Sequence, residues 1–424
     1  MTAELRVLIV AESASAKFGG EAALPLHYFR VLRRSGHPVW LLSHARTRDE
    51  LSKLYPGDAS IRYVDDTLLN RAMWQLGRRL PARLSHFTVG FVSRFATQLA
   101  QRRMARKIIV EEHIDVVHQP MPVSPREPSM LHGLGAPVVI GPMNGGMNFP
   151  PGFGRRQGRL EEVFVAVGRM TARGLNALMP GKRKAALLLV ANERTRRALP
   201  GGVCTHVVEL VENGVDLDLW RAPDISREDP AAGVTRFIYL GRLVEWKAVD
   251  LLLQAFQRAR ANAPMHLTII GDGGERARLE SMVDALGMRP KAERAAGSVT
   301  FTGWLSQQEC AERLRDGDAL VLPSLLECGG AVVLEAMSMG KPVIATAWGG
   351  PVDYLDPSCG ILVVPTGPEA FIEGLAHAMT RLAHSPQERV AMGAAGRAKV
   401  VREYDWDIKV AKMLELYEIA RGTA

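Results

Sequence analysis

The feature that most constrains the fold is a rhythm of short β-branched apolar runs, most of them separated by helix-like segments. LRVLIVA (5–11), PVWLLSH (38–44), IDVVHQ (114–119), PVVIG (137–141) and AALLLVAN (185–192) make a first series. RFIYLG (236–241), HLTIIG (266–271), VTFTG (299–303), ALVLPS (319–324), PVIAT (342–346) and ILVVP (361–365) make a second. Runs this apolar are buried on both faces, and runs that alternate with helices pair in parallel, so each series predicts a doubly wound α/β sheet. A polar, proline-containing stretch, RAPDISREDPAAGV (221–234), separates the two series and sets the domain boundary near 205–235. Helices are expected over 248–262, 275–286 and 406–420.

With 424 residues the chain is long enough for two domains of about 200 residues each. Its composition, 47% hydrophobic and 23% charged, excludes the disordered and fibrous classes. The opening MTAELRVLIVAES lacks the basic region of an export signal, and no apolar run reaches about 18 residues. Cys204, Cys310, Cys328 and Cys359 lie far apart without CxxC spacing, against a disulfide framework or a zinc site. A cytoplasmic protein is the expectation.

The net charge of +8 is unevenly spread. No acidic residue falls between Asp66 and Glu111, where Arg71, Arg78, Arg79, Arg83, Arg94, Arg102, Arg103, Arg106 and Lys107 interleave with large apolar side chains. Residues 69–110 therefore read as a peripheral contact with an anionic membrane, a receiver of an anionic substrate, or a solvated basic face. No recognition motif accompanies the charge, so no nucleic-acid partner is expected.

Open parallel sheets bind ligands beyond the carboxyl ends of their strands, and the motifs lie there. In KFGGEA (17–22), Gly19 and Gly20 either let backbone approach an anion at a helix start or merely turn the chain. GRLVEWK (241–247) puts Arg242 and Lys247 on one short loop, a planar fork and a mobile charge that suit a phosphate or a solvated basic turn. ECGGAVVLE (327–335) sets Glu327 in a loop, Gly329, Gly330 and Ala331 at a helix start, and Glu335 on the helix. Free amides there would favour a diphosphate, with the two carboxylates accepting hydrogen bonds from hydroxyls on either side of it. A nucleotide sugar offers that order of sugar, diphosphate and ribose diol. The plainer alternative makes Glu327 a helix-dipole partner and Glu335 an exposed helix residue.

This segment resembles the Glu–seven residues–Glu motif of retaining glycosyltransferases of family four, which have the GT-B architecture of two Rossmann-like domains facing a central cleft. The preceding PS, the following EAM and the G-x-PVIAT continuation match, as do GRLVEWK, VENGVD (211–216), FTGWLS (301–306) and GDGGER (271–276), in order over about residues 205–365. In the first domain only the glycine loop and DVVH match. The resemblance implies an acceptor domain over 1–205, a donor domain over 206–405, and a last helix, 406–424, that packs back on the first. It implies that Glu327 binds donor-sugar hydroxyls and Glu335 the ribose. Arg242 and Lys247 would hold the diphosphate with the amides of Gly329, Gly330 and Ala331, while Gly19 and Gly20 close on it from the first domain. Gly303 and Trp304 would lie near the base, and His118 would be a catalytic candidate on the acceptor side.

Two departures stand out. Cys328-Gly329-Gly330 replaces the family's G-F-G, and Cys328 reads either as a thiol activated by a helix start or as a small buried filler. His118 is followed by Gln119 and Pro120 where many members have a histidine pair. The loop PMNGGMNFPPGFGRR (142–156) is a candidate lining of the acceptor site. The implied reaction moves a hexosyl-type sugar from a nucleoside diphosphate to an acceptor hydroxyl on a glycan, lipid-linked or small molecule, in glycolipid, polysaccharide or envelope glycan synthesis. It proceeds with retention and without a metal or other cofactor. The alternatives are a nucleotide-sugar epimerase, a phosphorylase, or a sugar-binding protein that is not an enzyme.

Overall fold

The computed structural model describes residues 4–17, 20–77, 89–156, 172–222, 233–292 and 295–422. The chain forms two compact units, one of Met1–Gly146, Leu160–Glu212 and Trp406–Ala424, the other of Met147–Arg159 and Asn213–Asp405.

In the first unit, β1 (Val7–Val10), β2 (Val39–His44), β3 (Ile61–Val64), β4 (Val116–Gln119), β5 (Val138–Met143), β6 (Leu187–Val190) and β7 (Val207–Glu209) form one sheet. The order is β3-β2-β1-β4-β5-β6-β7, and every pair is parallel. Why the strand runs are apolar throughout is plain at β1. Val7 and Ile9 pack with Leu24, Tyr28 and Phe29 of the helix Gly20–Arg34 and with Val410, Met413 and Tyr417 of the helix Trp406–Gly422. Leu8 and Val10 join the opposite layer, with Ala105, Ile108 and Ile109 of the helix Val89–Glu111. Full burial of such a side chain contributes about 1.5–3 kcal/mol, so both faces of the strand stabilise the sheet.

The second unit repeats the plan with β8 (Thr235–Leu240), β9 (Met265–Ile270), β10 (Val299–Gly303), β11 (Ala319–Leu322), β12 (Val343–Thr346) and β13 (Gly360–Val363), in the order β10-β9-β8-β11-β12-β13. These pairs are parallel too. Both sheets are Rossmann-like, as the GT-B resemblance implies, and in each the strand order reverses between the first and fourth strands.

Two strands were not expected from the sequence, β3 and β7. Both lie at sheet edges, where one side of the strand is unpaired and an uninterrupted apolar run is not required. β3 carries Arg62 and Tyr63, and none of the three residues of β7 is buried. The loop 142–156 is divided: its first five residues group with the first unit, and the remainder groups with the second. There Phe153 is buried against Phe371, ring centroids 5.9 Å apart. Of the basic stretch, residues 78–88 lie outside the described residues, and the remainder forms the helices Leu68–Gly77 and Val89–Glu111. Among the described residues no helix is long and apolar enough to cross a membrane.

Candidate functional site

The switch point of the second sheet lies between β8 and β11, and the loops that leave their carboxyl ends carry most of the candidate residues. After β8 the chain passes through Gly241 and Arg242 into a short turn, Glu245–Lys247, before the helix Val249–Ala259. Ala248 takes a left-handed conformation at that junction (φ 51°), which lets the turn and the helix meet at an angle. The loop is anchored from below. The buried Tyr239 hydroxyl donates to the Arg242 carbonyl at 3.0 Å, and Leu243 N–H donates to the Asp272 carbonyl at 2.9 Å.

After β11 comes the loop with Glu327, then the helix Ala331–Ser338. The two loops are joined twice. Leu325 N–H donates to the Trp246 carbonyl at 2.9 Å, and the Lys247 ammonium forms an ion pair with the Glu327 carboxylate. Both side chains of that pair are largely buried, at 14% and 13% exposure. Arg242, on the same loop as Lys247, is exposed and has no carboxylate partner among the described residues. Fold topology thus brings Lys247 and Glu327 together from positions 80 residues apart, with Arg242 on the same loop as Lys247.

The glycines at the start of the helix have a steric role. Gly330 caps it at φ 76°, and a Cβ there would come 3.1 Å from the Glu327 side chain. Ala331 opens the helix, so the amides that follow the loop are those of a true helix start. Glu335 lies one turn in, partly buried, and burial pushes its carboxyl up to about 8. Cys328 is exposed, which removes the buried-filler reading; the thiols of Cys310 and Cys359 are the buried ones.

Gly349 and Gly350 had not been singled out from the sequence. Gly349 and Gly350 seat the Glu327 loop: Gly350 N–H donates to the Glu327 carbonyl at 2.7 Å, and a Cβ on Gly349 would meet that same oxygen at 2.3 Å. Met147 packs on Gly349, and the Trp348 indole N–H donates to the Asn148 carbonyl at 2.9 Å. The Gly-Gly pair just after β12 is a turn signal that would have pointed to this seat.

Gly303 ends β10 at φ 79°, where its carbonyl accepts from Gly271 N–H at 2.9 Å. The Arg276 guanidinium occupies the space its side chain would need, and Arg276 is held by Asp272 at 3.0 Å and Glu280 at 2.9 Å. Beside it Trp304 is 69% exposed, unusual for so large an apolar side chain. In the first unit Gly20 begins an exposed helix start, and Gly19 lies outside the described residues.

His118 requires a correction. It is fully buried in β4, with Nε2 2.7 Å from the Gly141 carbonyl and Nδ1 2.8 Å from the Tyr417 hydroxyl. Burial lowers its pKa to about 4, so the ring is neutral near pH 7. With both nitrogens engaged and no exposed surface, it ties the sheet to the last helix and presents no exposed atom to a ligand.

A family model for glycosyl transferases group 1 matches residues 224–399. The D-inositol 3-phosphate glycosyltransferase of Segniliparus rotundus is 31% identical over 228 residues, 51% of this chain and 48% of that protein. A GDP-mannose-dependent monoacylated alpha-(1-6)-phosphatidylinositol monomannoside mannosyltransferase of Corynebacterium glutamicum is 31% identical over 268 residues, 57% of this chain and 66% of that one. The chain spans about half the length of most of the curated relatives it matches. Among solved structures, Anabaena Alr3699/HepE in complex with UDP aligns over 98% of this chain and all of its own, with a TM-score of 0.63 at 16% identity. Sucrose-phosphate synthase from Thermosynechococcus elongatus aligns over 99% of this chain, with a TM-score of 0.62 at 18% identity. Fold, motif order and relatives agree: residues 224–399 match the glycosyl transferases group 1 family.

Proposed function

We propose that the chain is a glycosyltransferase whose second unit binds a nucleoside diphosphate sugar and passes a hexosyl-type sugar, with retention, to an acceptor hydroxyl. The observation that carries this reading is the Lys247–Glu327 ion pair across the switch point, with Arg242 on the same loop. A partly buried charge is costly when unpaired, and here each group holds the other's. A diphosphate that engages Arg242 and takes over Lys247 leaves the Glu327 carboxylate to accept hydrogen bonds from sugar hydroxyls. The amides of Gly329, Gly330 and Ala331 add donors at the positive end of the helix, and Glu335 faces the ribose diol.

Stabilising the leaving diphosphate in this way supplies the electrostatic part of catalysis without a metal. The acceptor hydroxyl attacks the face from which the nucleoside diphosphate departs, and a donor phosphate oxygen takes its proton. The Corynebacterium relative is named for GDP-mannose and the Anabaena structure holds UDP, so both bases belong in the donor screen.

The test is a thermal-shift and transfer screen across UDP, GDP and ADP sugars, followed by the anomeric configuration of the product. A stabilising donor and a retained product are expected. Inversion would sink the mechanism, and turnover of the nucleotide sugar without transfer to any acceptor would favour an epimerase or phosphorylase.

A further inference from the structure

One cationic cluster of the first unit lies away from the carboxyl ends of its strands. Arg102 and Arg106 stand one turn apart on the helix Val89–Glu111, which leads into the amino end of β4. His132 and Gly133 precede β5, and Lys184 precedes β6. The cluster therefore occupies the amino-terminal edge of the sheet.

Like charges four residues apart destabilise a helix by a few tenths of a kcal/mol, and a carboxylate neighbour commonly offsets them. Here none does among the described residues. The two guanidiniums are instead pinned to consecutive backbone carbonyls. Arg102 Nε donates to the His132 carbonyl at 3.0 Å and its Nη2 lies 3.4 Å from His132 Nδ1, while Arg106 donates to the Gly133 carbonyl through Nε at 3.1 Å and Nη2 at 2.8 Å. Pinning holds both forks in place, so little side-chain freedom is lost on binding a ligand.

The forks also converge. The point where a Cβ of Gly133 would stand is 3.7 Å from Arg106 Nη2 and 3.8 Å from Arg102 Nη2, and Gly133 itself is exposed with φ 58°. Each guanidinium has five N–H donors, and the anchoring contacts use about two of them. The His132 ring sits in the same field: burial lowers its pKa first, then Arg102, Lys184 and Arg106, with no acidic group among the described residues acting against them.

We propose that Arg102, Arg106, His132 and Lys184 form a binding site for a phosphate group, separate from the donor site and independent of the activity assigned above. A tetrahedral oxyanion matches paired guanidinium forks in charge and geometry. Its source is either a soluble phosphate ester or the headgroup of an anionic phospholipid, and two assays distinguish these.

Inorganic phosphate is titrated calorimetrically into the full chain, and the chain is co-sedimented with phosphatidylcholine vesicles with and without phosphatidylglycerol. Wild type is compared with Arg102→Gln/Arg106→Gln, which leaves Arg242 and Lys247 in place, so phosphate taken by the donor loops is common to both proteins. A soluble ligand predicts about tenfold weaker phosphate binding in the variant. A lipid ligand predicts binding to anionic vesicles that weakens about 30-fold, from roughly 1 kcal/mol per cation. The Lys184 side chain anchors no carbonyl among the described residues, so Lys184→Gln tests the site even if the double variant folds poorly, and about fivefold weaker binding in one assay is expected. Binding by Lys184→Gln equal to wild type in both assays overturns the proposal.

Discussion

Glu335 offers a sharp test because its burial conflicts with its charge. Its carboxyl is raised from an ordinary 4.5 to about 8, and desolvation is the cause. Between those values the folded chain holds a proton that the unfolded chain has released. Stability linked to this group is therefore fully present below about pH 4.5 and is lost as pH rises through about 8. At about 1.4 kcal/mol per pH unit the ceiling is about 5 kcal/mol, and because the side chain is only partly buried, water access reduces the expected effect to about 1–3 kcal/mol.

Glu335→Gln keeps the shape of the protonated acid and removes the titration. The variant should match wild type near pH 5 and be more stable near pH 9, by about 4–8 °C for each 2 kcal/mol in a unit of this size. Lys182 and Lys409, both lowered to about 7 by burial, add pH dependence of their own. The difference between the two proteins, followed by thermal unfolding, cancels that background. Equal stability at both pH values would refute the burial argument. A variant stabilised only at low pH would show its sign to be wrong.

Other substitutions probe the loops. Gly349→Ala drives a methyl into the Glu327 carbonyl, so a loss of about 2–4 kcal/mol and failure of nucleotide-sugar binding are expected in unfolding and thermal-shift assays. Tyr239→Phe removes one hydrogen bond to the Arg242 carbonyl, and donor KM should rise several-fold with about 1 kcal/mol lost in stability. Unchanged kinetics would mean the loop does not need that anchor. Glu335→Ala should weaken nucleotide binding while Glu327→Ala mainly lowers kcat, and full activity in both would remove the donor-site assignment. Tyr417→Phe should cost about 1 kcal/mol and leave the pH–rate profile unmoved, because the His118 ring it touches is buried in the core.

The repeated apolar runs determined by themselves that there would be two parallel α/β sheets, since a strand buried on both faces has no polar position to spare. The Gly-rich helix start, the two basic residues after β8 and the spaced glutamates were likewise legible in local order. Edge strands such as β7 escaped because one side of them needs no partner. His118 looked like a site residue because a histidine at a strand end reads the same whether it faces solvent or the core, and only the packing of Tyr28 and Tyr417 around it decided. The meeting of Lys247 with Glu327, and the seat that Gly349 and Gly350 provide, depend on which strands become neighbours. Strand order is set by the packing of a whole sheet, which no local stretch of sequence contains.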